Sequence, residues 1–221
     1  VTRILAGEPL AYVLGEWDFY GMTLHVDKNV LIPRDDTCSV TSLAINQALF
    51  LGSAPRILDL CTGSGCIGLA VASRVKDARV TLADISRQAI AVAKKNITGQ
   101  HLSARVSCVC ADALGMPAPF LGKFDMIVSN PPYICENEKN EMRANVLDYE
   151  PSTALFVPDD NPLLFYRRIA SMALCKHLFF EINEHYAAEM HELLKQNGFV
   201  DIQLTNDIYG KPRIIQGRLS S

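Results

Sequence analysis

The sequence predicts an α/β fold of the Rossmann-like kind: a mostly parallel sheet with a terminal antiparallel pair, preceded by a small β-hairpin. Three observations predict it. From residue 56 onward, short apolar segments of strand length alternate with stretches of helical periodicity. The first such segment runs into the glycine-rich turn Cys61-Thr62-Gly63-Ser64-Gly65-Cys66-Ile67-Gly68. Acidic or amide side chains then recur at the ends of successive apolar segments, at Asp59, Asp84, Asp112 and Asn130.

Composition narrows the class. With 221 residues, 49% of them hydrophobic, the chain can bury one substantial core. No apolar run approaches the roughly 18 residues of a membrane helix, and no signal peptide is visible. A net charge of -3 argues against a protein that binds nucleic acid mainly through its phosphates. The seven cysteines are odd in number and form no paired metal pattern, so they read as reduced, structural and cytoplasmic. No His, Cys, Asp or Glu spacing suggests a metal site.

Residues 1–34 read as a β-hairpin segment ahead of the main domain, 35–221. Tyr12–Gly15 and Trp17–Tyr20 look like strand material, and Gly21-Met22 fits a two-residue turn into Thr23–Val26. Trp17, Phe19 and Tyr20 either pack the hairpin or wall a substrate. Asp36 or Thr37 is placed to cap a helix to about Leu51, with Val40, Leu43, Ala44 and Ala48 on one face. Arg56–Leu60 is a strand, and the glycine turn opens a helix to about Val75. Val80–Ala83 is the next strand, ending at Asp84; Ser86 can cap a helix with Ile90, Ala93 and Ile97 facing inward. Arg105–Cys110 and Phe124–Ser129 complete the parallel set.

Residues 134–160 are polar and acidic, and read as a long loop with a short helix, either a solvated face or a dock for a basic partner. Residues 162–175 look helical, Leu178–Ile182 is a strand, and Glu184–Asn197 is a helix stopped by Gly198, with His185 and His191 at the surface. Phe199–Leu204 and Arg213–Gly217 can form the antiparallel pair.

In an open parallel sheet the strand ends line one crevice, where ligands bind. Asp84 lies about 20 residues past the glycines, the position of a ribose ligand. Asp59 stands just before the glycines, where it would repel a pyrophosphate but suits an ammonium. A ligand with an amino-acid end and an adenosine end but no phosphate therefore fits best, and S-adenosylmethionine is that molecule. Asp59 and the loop Cys61, Thr62, Gly63, Ser64 and Gly65 would hold its methionine part, Asp84 the ribose, and Asp112 with Ala113 the adenine. At the last strand end, Asn130-Pro131-Pro132-Tyr133 makes a stiff extended corner, because neither proline has an N–H to continue a ladder. The Asn130 side-chain oxygen and the Pro131 carbonyl can each accept one N–H of a planar amide or aryl amine. Tyr133 can pack against its flat face.

The Asp-x-x-Thr-Gly-Ser-Gly loop with Asn-Pro-Pro-Tyr resembles the amino-methyltransferases. Gly7–Tyr12, Leu31-Ile32-Pro33-Arg34, Asn130–Ile134, Tyr149-Glu150-Pro151 with Ala154-Leu155, and Phe165-Tyr166-Arg167 resemble, more narrowly, the PrmC/HemK protein-(glutamine-N5) methyltransferases. The resemblance covers nearly the whole sequence. It implies a class I S-adenosylmethionine-dependent methyltransferase fold and methylation of the Gly-Gly-Gln glutamine of peptide-chain release factors. It also implies catalytic roles for Asn130, Pro131, Pro132 and Tyr133, and a cytoplasmic, monomeric enzyme binding neither membrane nor nucleic acid. Family members carry a helical N-terminal domain before the hairpin, and this sequence starts past it. Cys61 stands where the family has Gly, Asp35-Asp36 replaces Pro-Glu after Arg34, and Leu174–His177 replaces a glycine-containing turn.

Two other readings compete. A nucleic-acid methyltransferase acting on adenine N6 or guanine N2 would use the same corner on a flipped base. A non-catalytic module would keep the cofactor fold without turnover.

Overall fold

The computed structural model describes residues 2–115, 123–172 and 175–220. It begins with helices α1 (Thr2–Leu5) and α2 (Leu10–Leu14). The strand expected over Tyr12–Gly15 is therefore helical. Gly15, left-handed at φ 80°, stops α2 by giving its N–H to Ala11, and the buried Tyr12 donates its hydroxyl to the Val30 carbonyl at 2.6 Å. Strands β1 (Glu16–Phe19) and β2 (Met22–His25) form the hairpin. Phe19 pairs with Met22, so the turn is Tyr20-Gly21 rather than Gly21-Met22. Both turn residues have positive φ, 52° and 77°, the type I′ geometry that matches strand twist. Phe19, Met22 and Leu24 are buried in the main core, so the hairpin packs directly on the larger domain.

Helix α3 (Thr37–Leu49) follows, with Val40, Thr41, Ala44, Ile45 and Ala48 buried. Asp36 precedes it without making a side-chain cap. Then come β3 (Arg56–Leu60), α4 (Cys66–Arg74), β4 (Arg79–Asp84), α5 (Arg87–Gly99), β5 (Val106–Cys110) and β6 (Phe124–Ser129). Ser86 caps α5 as its sequence position suggests, its hydroxyl accepting the Ala89 N–H at 3.1 Å.

The segment 134–160 is more ordered than a loop. Strands β7 (Ile134–Cys135) and β8 (Phe156–Val157) pair in parallel and enclose helix α6 (Ala144–Tyr149). Its acids are not all solvated. Glu138 accepts the Cys135 N–H at 2.7 Å, and Glu150 is buried. The rest is α7 (Leu164–Ser171), β9 (Cys175–Glu181), α8 (Ala187–Gln196), β10 (Phe199–Asn206) and β11 (Pro212–Leu219). Cys175–His177 lie in β9, while Leu174 lies outside the described residues.

Among the described residues the main sheet has the order β10-β11-β9-β6-β3-β4-β5. Pairings from β9 to β5 are parallel; β11 is antiparallel to both β9 and β10. Side-chain alternation divides the core between two faces. Ile57 of β3 joins Val40, Leu69 and Val71 on one, while Leu58 and Leu60 join Tyr166, Ile169 and Leu193 on the other. The chain leaves β3 for β4 on one side and returns as β6 on the other. The carboxyl ends of β3 and β6 thus flank the switch point where such sheets bind ligands. Among the described residues, no helix is long and apolar enough to cross a membrane.

Candidate active site

The glycine turn is shaped from beneath by Asp59. This carboxylate is fully buried in β3, and its Oδ2 accepts the Thr62 hydroxyl at 2.6 Å and the Gly68 N–H at 2.8 Å. Burial, which penalises the charged form, pushes its pKa up to about 7 against the lowering effect of those two bonds. Asp59 lies beneath the cavity lining and braces the loop through Oδ2, while its Oδ1 is buried and has no hydrogen-bond partner among the described residues. Gly65, at φ 87°, turns the chain into α4. It too lies behind the surface that Cys61, Thr62, Gly63 and Ser64 present to the cavity. Cys61 itself sits at φ 61°, the left-handed region that favours glycine.

Asp84 holds the loop from the next strand. Its Oδ2 accepts the Gly63 N–H and its Oδ1 the Ser86 N–H, both at 2.9 Å. Each oxygen keeps a second lone pair, so the side chain can still accept hydroxyls. Burial raises its pKa, against the lowering by those N–H donors. Asp112 is exposed and steadied by the Leu114 N–H at 2.8 Å, while Ala113 is buried beside it. Asp84, Asp112, Ala113 and the loop line a cavity of about 370 Å³, within the roughly 300–1,000 Å³ usual for small-molecule sites.

The cavity fits S-adenosylmethionine on two counts. Its charged lining residues are Arg34, Asp84 and Asp112, a net negative set that suits a ligand carrying a sulfonium, an ammonium and one carboxylate. The Ser64 hydroxyl is buried in its wall and has no hydrogen-bond partner among the described residues, leaving a donor for a ligand oxygen.

Asn130 stands at the junction of this cavity with a second cleft of about 550 Å³ and lines both. Pro132 lines the first cavity and Tyr133 the second, while Pro131 is buried and lines neither. The corner is fixed from several sides. Ser129 donates its hydroxyl to the Leu60 carbonyl at 2.5 Å, Asn183 donates to the Tyr133 carbonyl at 3.2 Å, and Tyr133 gives its own hydroxyl to Glu181 at 3.1 Å. Trp17, one of the hairpin aromatics, reaches the second cleft, whereas Phe19 is core.

Several residues that the sequence reading gave no role in the site shape it here. Arg34 lines both spaces and pairs at 2.5 Å with the buried Glu150, whose other oxygen accepts the Ile32 N–H at 3.1 Å. This ties α6 to the Leu31–Arg34 segment. Glu181, 1% exposed at the end of β9, faces the second cleft. Its signal was a lone acid closing the apolar run Leu178-Phe179-Phe180, the same strand-end pattern that singled out Asp84. Among the described residues no His, Cys, Asp and Glu cluster could hold a metal.

Comparison with known proteins places the chain in a family. A family model described as "Methyltransferase small domain" matches residues 39–148. The release factor glutamine methyltransferase of Bacteroides thetaiotaomicron is 41% identical over 97% of this chain and 77% of its own length. That of Clostridium acetobutylicum is 40% identical over 94% and 74%. Among solved structures, the release factor-specific protein-(glutamine-N5) methyltransferase of Alicyclobacillus acidocaldarius superposes with a TM-score of 0.53 at 25% identity, over 86% of this chain and 95% of that one. The hMettl16 catalytic domain, solved in complex with the MAT2A 3′UTR hairpin 6, gives a TM-score of 0.70 at 16% identity over 91% and 77%, a likeness of fold alone. With a strand-end crevice, an Asn-Pro-Pro-Tyr corner and some 40% identity to enzymes whose lengths it largely spans, the chain belongs to the release factor glutamine methyltransferase family.

Proposed function

We propose that the chain transfers a methyl group from S-adenosylmethionine to the side-chain amide nitrogen, N5, of the glutamine in the Gly-Gly-Gln motif of peptide-chain release factors. The observation that carries this is the position of Asn130, which lines both a cofactor-sized cavity of about 370 Å³ and a second cleft of about 550 Å³. When bound, the cofactor supplies an electrophilic sulfonium methyl. Ser64 and the loop backbone hold its methionine end, Asp84 the ribose hydroxyls, and Asp112 with Ala113 the adenine.

An amide nitrogen is a poor nucleophile, because its lone pair is delocalised. The side-chain oxygen of Asn130 and the carbonyl of Pro131 accept its two N–H groups and turn its face to the methyl. Tyr133, anchored through Glu181, walls the acceptor plane. The bound cofactor would supply the methyl, its sulfur leaving as a neutral thioether. The proton shed by the newly methylated nitrogen would pass to water in the second cleft, since Asn130 and Pro131 hold the N–H groups without keeping the proton. Alignment of this kind supplies up to about 7–11 kcal/mol of barrier reduction.

The test is methyl transfer from radiolabelled cofactor to a release factor, to its Gly-Gly-Gln→Gly-Gly-Ala variant, and to bulk RNA and DNA. Label on the intact release factor alone is expected. Label on nucleic acid would replace this reading with the base-methylating one, and cofactor binding without turnover on any acceptor would favour the non-catalytic module.

A further inference from the structure

Asn130 can align an acceptor amide only if its own amide is turned the right way. Its oxygen must face the substrate, and its NH₂ must face the protein. In the structure the NH₂ is directed at the Thr37 hydroxyl, 3.4 Å away at the start of α3. A hydroxyl can accept that bond or, turned round, donate to the amide oxygen instead. What decides is where its own hydrogen goes. The Thr37 hydroxyl faces Glu181, and so does the Tyr133 hydroxyl, which donates to Oε1 at 3.1 Å. The second oxygen of Glu181 is buried and has no partner within hydrogen-bond distance among the described residues, so the carboxyl has accepting capacity to spare. Arg213 from β11 and Asp36 from the N-terminal side of α3 complete its charged surroundings.

We infer that Thr37 and Glu181 are positioning residues for the methyl transfer: Glu181 takes the Thr37 hydrogen, which compels Thr37 to accept from Asn130 and presents the Asn130 oxygen to the acceptor glutamine. Thr37 and Glu181 are both nearly fully buried, one in the wall of the first cavity and the other in the wall of the second cleft. They face each other without a hydrogen bond between them in this structure, so that bond is the link the inference adds. Glu181 thereby supports two members of the corner, Asn130 through Thr37 and Tyr133 directly. The inference rests on the methyl-transfer reading above.

The test compares wild type with Thr37→Val, Thr37→Ser, Glu181→Gln and the Thr37→Val/Glu181→Gln double variant. It measures kcat and KM for the release factor, Kd for the cofactor and the urea midpoint. Thr37→Val removes the hydroxyl at constant shape and is expected to lower kcat by about 10-fold or more, with the cofactor Kd unchanged, since misplacing an aligner acts on the reacting geometry. Thr37→Ser restores the hydroxyl and is expected to recover most of the loss. Glu181→Gln keeps the shape but adds a donor able to reverse the chain, so kcat falls again. The double variant is expected to be no slower than the slower single variant, because both act through one chain. Wild-type kcat in Thr37→Val, or losses that multiply in the double variant, would overturn the inference while leaving the proposed reaction intact. A wild type silent on release factor would overturn both.

Discussion

Gly68 gives its backbone N–H to the buried carboxylate of Asp59 at 2.8 Å, and there is no room for a side chain between them and β4. A Cβ on Gly68 would lie 2.3 Å from Leu82 Cδ2 and 3.0 Å from Asp59 Oδ2. The glycine thus sets the distance at which α4 packs on the sheet, and with it the height of the cofactor loop. Gly68→Ala is expected to destabilise the fold by about 1–3 kcal/mol, the usual cost of overpacking. A urea midpoint matching wild type would show that the contact can relax without cost.

Asp59 should also make stability depend on pH. Its pKa is held near 7 in the fold, against about 3.9 in an unfolded chain. Between those values the folded state keeps a proton that the unfolded state has lost, so stability falls as pH rises through the window and levels above it. Asp84 and Glu181, also raised, contribute slopes of the same sign, so the variant must be read against wild type. Asp59→Asn can still accept from Thr62 and Gly68, but it cannot ionise. The stability gap between wild type and Asp59→Asn is expected to shrink from pH 5 to pH 7.5 in urea titrations. A gap that stays constant would mean that Asp59 ionises at an ordinary pKa.

Asn130→Ala should separate binding from transfer. The variant keeps the loop and Asp84 but loses the oxygen that aligns the acceptor. A fall in kcat of about 100-fold or more is expected, comparable to loss of a preorganised hydrogen-bonding group, with cofactor Kd within a few-fold of wild type. Turnover at the wild-type rate would remove Asn130 from the mechanism.

The parallel strands, the glycine turn and the acids at the strand ends were legible because each depends on local chemistry: apolar runs, φ-permissive residues, and polar groups just past a strand; the order in which the strands lie side by side was not. What was not legible depends on distant partners. Tyr12 lies in a helix because Pro9, Gly15 and the Val30 carbonyl fix it there, although its own neighbours are strand-like. Asp59 reads as a ligand contact from its position before the glycines, and its second task, bracing the turn through Oδ2 on Thr62 and Gly68, shows only once the turn has folded over it. Glu150 sits in an acidic stretch that looks solvated, and only the arrival of Arg34 and the Ile32 N–H, more than a hundred residues away in sequence, makes its burial possible.

Asp84→Ala should weaken the cofactor first. The side chain supports the Gly63 and Ser86 N–H groups and still has lone pairs open to the cavity. Charge-assisted hydrogen bonds of about 1.5–3 kcal/mol correspond to a rise in cofactor Kd of roughly 10- to 150-fold. Asp84→Asn, which keeps one accepting oxygen, is expected to lie between. Calorimetric titration with S-adenosylhomocysteine measures both, and an unaltered Kd in Asp84→Ala would exclude the ribose role.

Cys61 poses the question of why a cysteine occupies a left-handed position. At φ 61° an L side chain costs roughly 1–2 kcal/mol, which glycine would relieve. Against that, glycine adds about 0.5–1 kcal/mol of unfolded-chain entropy and gives up the packing of the sulfur against the apolar layer under the loop. These terms oppose each other at similar size, so Cys61→Gly is expected to unfold within about 1 kcal/mol of wild type. A β-branched residue has no such compensation, because its second γ substituent tightens the clash that makes this backbone region unfavourable. Cys61→Val is therefore expected to lose about 2 kcal/mol or more, consistent with strain at a left-handed non-glycine site. Equal urea midpoints for the Gly and Val variants would show that the backbone at residue 61 is not held left-handed in solution, and that the loop reaches its ligand-binding shape by another route.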